Sequence, residues 1–385
     1  MDIEASVIIP CLNESRTLGP CIEKAFRALR EVGAAGEVVV IDNGSTDNSR
    51  EIATKAGARV VEEAIKGYGS ALRRGIREAK GSYIIMADAD DTYNFLEAGK
   101  FIKLLREGAD FVMGNRFKGK IYPNAMPHLH RWLGTPVLTF ILRLFFKAPI
   151  SDVNCGMRGF RKIAIEGLNL RCTGMEFASE MVIKASMAKL IIKETPIDLH
   201  AGPADRKPHL RSFRDGWRHL RVMLALCPKY LFVYPGLLLG AIGLVLLVLA
   251  HIPDFKIFGM PMGISSAAFS SALFFMGIQI SLFGVYSLIL NNANGILKAD
   301  PITDFFKKYF TLERGLVVGA VILAVGLAMG ITTLVLIFNY ANNLSYVDIP
   351  LARLAIVSIF VVLFGIQIVF SSFLISSFNI AGMLK

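Results

Sequence analysis

Paired cysteines, a leader-like start and a balance of charge are all missing from this 385-residue sequence. Its five cysteines (Cys11, Cys21, Cys155, Cys172 and Cys227) are odd in number and share no paired spacing. That excludes a disulfide framework and a cysteine zinc site, and it suits a reducing compartment. The chain enters an apolar stretch at residues 5–9 with no charged segment and no long apolar run before it, so a cleaved signal peptide is not expected. Acidic residues are scarce beside basic ones, 31 against 42, for a formal charge of +11. The basic residues cluster next to apolar segments, which directs the charge toward an anionic membrane face or a phosphate-bearing substrate and away from nucleic acid. Charged residues make up only 19% of the chain and hydrophobic ones 54%, with a mean hydropathy of +0.51. That is too apolar for an ordinary soluble enzyme, so part of the chain meets lipid. The histidines His128, His130, His200, His209, His219 and His251 lack metal-ligand spacing and are given no catalytic role. There is no internal repeat and no low-complexity tract.

Up to about residue 200 short apolar runs alternate with amphipathic stretches. The pattern predicts strands at 6–10, 37–42, 59–63, 83–88, 111–114 and 191–197, with helices at 15–32, 48–56, 70–79, 95–107 and 177–188. This alternation gives the expected fold class, an α/β Rossmann-like domain with a mainly parallel sheet, whose ligands bind at the carboxyl ends of the strands. The second half is different. Residues 231–250, 268–290, 315–338 and 354–376 are apolar and almost uncharged, each long enough for a bilayer core of about 30 Å. The expected organisation is a domain at 1–205, a basic juxtamembrane segment at 206–230 and four spans within 231–385. Positive charge in 206–229, at Lys298, Lys307, Lys308 and Arg314, and at Lys385 assigns those segments and the first domain to the cytoplasmic face. Residues 131–147 (RWLGTPVLTFILRLFFK) are apolar between basic ends but too short to cross comfortably, and are expected to lie in the membrane surface.

Chemistry concentrates at three predicted strand ends. Asp88-Ala89-Asp90-Asp91 follows an apolar strand, and alternate carboxylates there can converge on one hard cation, Mg²⁺ or Mn²⁺, that bridges a diphosphate. Pro10-Cys11-Leu12-Asn13-Glu14 and Asp42-Asn43-Gly44-Ser45-Thr46-Asp47 are the other two polar loops. Their acidic groups can accept hydrogen bonds from a base or ribose, and a glycine permits close backbone approach. Helix capping by Asn13, Ser15 or Asp47 is a competing use, but it does not explain why three loops at one sheet edge are all acidic. Glu176 and Glu180, one helical turn apart, are open to a structural role as ion-pair partners.

VIIPCLNE, VVVIDNGSTDNS, KGYGSALRRGI and ADADDTY, in that order, resemble the family 2 glycosyltransferases of GT-A fold. MGNRF at 113–117, NCGMRGF at 154–160 and MEFASEM at 175–181 are similar to later motifs of the polyprenyl-phosphate (dolichyl-phosphate) hexose synthases. The resemblance covers roughly residues 5–230 and the four-span tail. It implies that Pro10, Asn13, Glu14, Asp42, Gly67 and Ala89 line a nucleotide-sugar pocket and that Asp88 and Asp90 bind metal and diphosphate. It implies further that Arg116, Arg131 and Arg158 bind an acceptor phosphate, and that Arg211 reaches the donor diphosphate. Mannosyl members often follow the aspartate pair with Leu-Gln, whereas this chain has Asp91-Thr92.

The activity implied is inverting transfer of glucose or mannose from a UDP- or GDP-linked donor to a dolichyl or other polyprenyl phosphate. The acceptor phosphate is largely dianionic at neutral pH, so it needs positioning more than a general base. Two other readings compete. A processive polysaccharide synthase would carry Gln-x-x-Arg-Trp late in its domain, and the nearest match, 128–132, lacks the glutamine and comes early. A transporter or flippase with a nucleotide-sensing domain would carry ionisable residues inside its spans, which these spans lack.

Overall fold

A computed structural model describes residues 2–203, 212–252, 255–297, 300–341 and 349–383. His209, Arg211, Lys298 and Lys385, named above, and Arg206 and Lys207 of the basic segment lie outside the described residues. The chain forms two compact units, Met1–Ala225 and Leu226–Lys385.

The first unit is built on a seven-stranded sheet. In chain order its strands are β1 (Ala5–Cys11), β2 (Gly36–Asp42), β3 (Arg59–Glu62), β4 (Tyr83–Met86), β5 (Phe111–Asn115), β6 (Arg158–Arg161) and β7 (Ile192–Pro196). They are arranged β3-β2-β1-β4-β6-β5-β7. All neighbours are parallel except β6, which runs antiparallel between β4 and β5. Val7, Ile8 and Ile9 of β1 and Val39 and Ile41 of β2 are completely buried. Continuous apolar runs of this kind are what a strand covered on both faces requires.

Helices α1 (Leu18–Glu31), α2 (Ser49–Lys55), α3 (Tyr68–Glu78) and α4 (Ala98–Arg106) connect the parallel strands. They bury one stripe each: Leu18, Cys21, Ile22, Ala25 and Leu29 on α1, and Phe101, Ile102 and Leu105 on α4. The expected surface segment forms a π-helical turn, His130–Gly134, running into α5 (Thr135–Phe146). It leaves Trp132, Leu133, Phe140 and Leu144 exposed while burying Leu138 and Leu142. A short α6 (Lys162–Glu166), then α7 (Phe177–Met187) and α8 (Ser212–Ala225), complete the unit.

The second unit consists of α9 (Tyr234–His251), a hairpin of β8 (Lys256–Ile257) and β9 (Met260–Pro261), α10 (Ile264–Ala293), a short α11 (Pro301–Tyr309), α12 (Leu312–Ala341) and α13 (Ile349–Met383). Four stretches are long and apolar enough to cross a membrane: Lys229–His251, Ile264–Ala293, Leu312–Asn339 and Pro350–Phe378. Exposed Leu238, Phe269, Ile331 and Phe370 on their outer faces are what lipid-facing helices present.

Candidate active site

β1, β2 and β4 end side by side. Cys11 is level with Asp42, and Ile8 is level with Met86. The three acidic loops therefore leave the sheet at one edge, the carboxyl edge, where parallel strands present ligands. Cross-loop bonds fix them to one another. The Asn13 backbone, at φ 58°, donates to Ser45 Oγ at 3.0 Å, and its carboxamide oxygen accepts from the Thr46 N–H at 2.7 Å. The Glu14 N–H donates to Ser49 Oγ at 3.0 Å, and the Ser15 N–H donates to Asp47 at 3.1 Å. Capping is thus one job of Asp47, which also accepts from Ser49.

Asp42 is buried and accepts from the Gly44 and Ser45 amides and from Arg50 Nε at 2.7 Å. Burial alone would raise its pKa; the bonds from Ser45 and Arg50 outweigh that and hold it below the usual carboxylate range. Asn43 carries the geometry onward, accepting from the Gly67 N–H at 2.7 Å and donating to the carbonyls of Glu63 and Ile65. Gly67 itself stands at φ 139°, where a Cβ would come 2.2 Å from the Thr173 carbonyl. Both the backbone angle and the space require glycine.

The aspartates after β4 have separate environments. Asp88 is half-buried and accepts a hydrogen bond from Tyr68. Desolvation and then the Asp88 charge push the Tyr68 phenol well above its ordinary pKa. A Cβ on Gly156 would lie 2.8 Å from Asp88 Oδ2 and 2.9 Å from the Tyr93 ring, so the NCGMRGF segment packs directly on the first aspartate. Asp90 accepts from the Thr92 hydroxyl at 2.6 Å and from its amide at 3.1 Å. Asp91, at φ 58°, is ion-paired with Lys24 of α1 at 2.7 Å. The Asp91-Thr92 departure thus has a local account: Thr92 orients Asp90 while Asp91 ties the loop to α1. Among the described residues no group of three or more His, Cys, Asp or Glu is placed to hold a metal. Two carboxylate side chains in alternation are the hard-oxygen set that a divalent cation shared with substrate phosphates uses.

The arginines are arranged differently from a simple phosphate clamp. Arg116 is buried, and its guanidinium is clasped by Asp152 through two bonds of 2.8 and 2.7 Å. Desolvation pulls the Arg116 pKa down, but Tyr93 and Asp152 carry it above the ordinary value. The His130 imidazole is shifted down by burial and then by the Arg116 charge, which puts the start of the surface segment within the Arg116 field. Arg131 is exposed and lies over the Trp132 ring at 5.5 Å. Arg158 has no exposed surface and donates to the carbonyls of Cys155, Ala178 and Val153 at 3.0, 2.7 and 3.0 Å. That geometry braces the 153–155 loop and α7 and keeps the guanidinium out of a surface phosphate's reach. Glu180 is an internal partner of Lys184 at 2.7 Å. Tyr68, Tyr93 and Asp152 are not singled out by sequence; Thr92 is, as part of the Asp91-Thr92 departure, but without a role of its own. Tyr68 lay inside KGYGSALRRGI and Thr92 and Tyr93 inside ADADDTY, while Asp152 falls two residues before NCGMRGF.

A GT-A-type sheet with acidic loops on its carboxyl edge, joined to a four-span region, defines a membrane-anchored member of the GT-A enzymes. Residues 6–168 match Glycosyl transferase family 2, and residues 285–379 match the Glycosyltransferase family 2 C-terminal transmembrane region. The chain is 41% identical over 374 residues to the low-salt glycan biosynthesis hexosyltransferase Agl6 of Haloferax volcanii, covering 97% of this chain and 88% of that one. It is 31% identical over 196 residues to a dolichyl-phosphate hexose transferase of the same organism, covering 50% of this chain and 82% of that one. The solved structure of a glucosyl-3-phosphoglycerate synthase from Mycobacterium tuberculosis is similar at 19% identity and a TM-score of 0.47, over 58% of this chain and 80% of its own. The chain belongs to glycosyltransferase family 2: it is a glycosyltransferase and an integral membrane protein.

Proposed function

We propose that the enzyme transfers a hexose, glucose or mannose, from a UDP- or GDP-linked donor to a dolichyl or related polyprenyl phosphate, with its α/β unit on the cytoplasmic face. The observation that carries this reading is the pair Asp88 and Asp90 at the end of β4, on the same sheet edge as the braced Asp42 loop. The two Haloferax volcanii relatives, by name a hexosyltransferase and a dolichyl-phosphate hexose transferase, support the sugar and the acceptor.

In this reading Pro10, Asn13, Glu14, Asp42, Gly67 and Ala89 bound the nucleotide, and Arg211 adds charge near the diphosphate. Asp88 and Asp90 hold Mg²⁺ or Mn²⁺, which when bound neutralises charge on the departing nucleoside diphosphate. Thr92 keeps Asp90 aimed, and Tyr68 keeps Asp88 aimed. An acceptor phosphate oxygen attacks the anomeric carbon from the face opposite the diphosphate. The bond from that carbon to the diphosphate oxygen breaks with its electron pair on the leaving group, and the anomeric configuration inverts. The acceptor is already dianionic near neutral pH, so positioning replaces proton abstraction. Arg131 is a direct phosphate contact. Arg116, clasped by Asp152, supplies a fixed positive field, and Arg158 is a positioning residue. The turn His130–Gly134 and α5, with Trp132, Leu133 and Phe140 exposed, lie in the membrane surface so that a lipid-tailed acceptor delivers its head group without leaving the bilayer.

The test is a donor screen with the purified full chain in lipid nanodiscs. Labelled UDP-glucose and GDP-mannose are offered with a polyprenyl phosphate, and the lipid product is identified by mass. Labelling from one donor, abolished by chelation and restored by Mg²⁺ or Mn²⁺, is the expected result. Labelled lipid formed at full rate in chelator would refute the metal role, and none from any nucleotide-sugar would refute the reaction.

A further inference from the structure

The MEFASEM segment runs into α7, and neither of its glutamates enters the functional reading above. Glu180 is almost wholly buried. Its carboxylate pairs with Lys184 at 2.7 Å and also accepts from two consecutive backbone amides, those of Arg171 at 3.0 Å and Cys172 at 2.8 Å. An ion pair needs only the lysine. A carboxylate that also collects neighbouring amides fixes the path of a loop. Lys184 donates to the Asn169 carbonyl at 2.7 Å, at the far end of the same loop. Residues 169–174 lie against the turn that opens α3. The Thr173 carbonyl accepts from the Ser70 N–H at 3.1 Å and would stand 2.2 Å from a Cβ on Gly67. The Cys172 and Gly174 carbonyls would stand 2.5 and 2.9 Å from a Cβ on Gly69. Beyond that turn the path is short. Tyr68 bonds Asp88, and the Gly67 N–H reaches Asn43 beside Asp42 at 2.7 Å. α7 is itself anchored, because Ala178 accepts from Arg158 at 2.7 Å.

We infer that Glu180 is a positioning residue for the donor site: by holding the Arg171 and Cys172 amides it seats the 171–174 loop against Gly67 and Gly69, and so fixes the turn that carries Tyr68 to Asp88. The inference rests on the functional reading above, in which Gly67 bounds the nucleotide and Asp88 holds the metal. Lys184 neutralises the buried carboxylate, while the amide bonds do the positioning. Groups that orient a ligand-binding side chain without touching the ligand control its affinity in this way.

Two variants of the full chain in nanodiscs separate these roles. Glu180→Gln and Lys184→Met both break the ion pair, but only the first leaves a single acceptor oxygen for two amides. Calorimetry reads binding of Mn²⁺ with UDP or GDP, whichever the wild type binds more tightly. Glu180→Gln raises the nucleotide Kd about tenfold, and Lys184→Met leaves it near wild type, although both lower the thermal midpoint. KM for a polyprenyl phosphate is unchanged in both. A readout on the wild type decides alone if Glu180→Gln does not fold. With Mn²⁺ and nucleotide bound, hydrogen exchange slows in the 67–72 and 169–174 peptides together. Equal Kd shifts in the two variants, no shift in either, or slowing confined to 67–72 overturns the positioning role alone. A wild type that binds neither UDP nor GDP with Mn²⁺ brings down the functional reading instead.

Discussion

In the α/β unit the interior holds full charges: Asp42, Asp152, Arg158, Glu180 and Asp215 are almost wholly buried. Each has named partners, as with Asp152 on Arg116 and Glu180 on Lys184. In the spans the buried polar groups are hydroxyls, among them Ser271, Ser281, Thr333, Ser371 and Ser372. What brings those helices together is the absence of side chains. A Cβ on Gly277 of α10 would lie 2.2 Å from the Gly240 backbone nitrogen of α9, and one on Gly365 of α13 would lie 2.6 Å from the Leu323 nitrogen of α12. The contrast follows from solvent. A charge buried in a water-soluble domain can be compensated by a designed partner, whereas in hydrocarbon it costs several kcal/mol and is kept only for a path or a pump. The stretches 231–250, 268–290, 315–338 and 354–376 hold no Asp, Glu, Lys or Arg, while the candidate site's carboxylates stand at the sheet edge.

The comparison breaks most visibly at the Arg116–Asp152 pair. Asp152→Ala strands a buried guanidinium and costs about 3–5 kcal/mol in stability, whereas Arg116→Met with Asp152→Leu recovers much of that because both charges are gone. Denaturation of the wild type and the two variants reads the difference, and the double variant regains stability without regaining transfer. A double variant no more stable than Asp152→Ala would show that the pair's worth is not electrostatic. Next in size is Asp90→Ala. It lowers lipid labelling by about 10²–10³-fold while the thermal midpoint stays near wild type, so chemistry and stability separate within one unit. Labelling at the wild-type rate would remove Asp90 from the site. The third test moves to the membrane unit, where Gly277→Val overpacks the α9–α10 contact and costs about 1–3 kcal/mol. Its signature is a lower unfolding temperature with little change in KM for the nucleotide-sugar.

The same contrast explains what could be read in advance. Six strands were legible because unbroken runs such as Val7-Ile8-Ile9 have no other stable home than a doubly covered sheet. The four spans were legible because length and hydropathy suffice. β6 was not. Its sequence is Arg158-Gly159-Phe160-Arg161, and no periodicity rule expects a strand whose first side chain is a fully buried arginine. The candidate site was legible at its acidic residues, which stand at strand ends. It was illegible at the groups that aim them: Asp152 is 36 residues from Arg116, and Tyr68 meets Asp88 only through the fold. Pairings at that separation leave no local signal. Arg116 and Arg158 are the instructive pair. Their motifs are legible in the sequence, but only tertiary packing reveals guanidiniums already committed to Asp152 and to backbone carbonyls.

The smallest expected effect concerns a buried histidine that the α/β interior keeps uncharged near neutral pH. His219 of α8 is buried and bonded through Nδ1 to Ser179 Oγ of α7 at 2.7 Å. Burial, and after it the Arg158 charge, lower its pKa from 6.5 to about 4, against the opposing pull of Glu176 and Asp215. The unfolded imidazole takes up its proton near 6.5 and the folded one near 4. Between those values the unfolded state binds more protons, so the His219 contribution is complete above pH 6.5 and is lost as pH falls toward 4. Asp42, Asp47 and Glu194 have lowered values, and their contributions begin to be lost as pH falls through the ordinary carboxylate values and continue to be lost below them. The α/β unit should therefore lose about 1–2 kcal/mol between pH 6.5 and 4.5, and His219→Gln should flatten that segment while leaving the acid limb below it. Thermal melts of both proteins across this range decide it. An unchanged slope in the variant would mean that the α7–α8 contact does not depend on a neutral imidazole, and that the interior tolerates charge there as it does at Arg158.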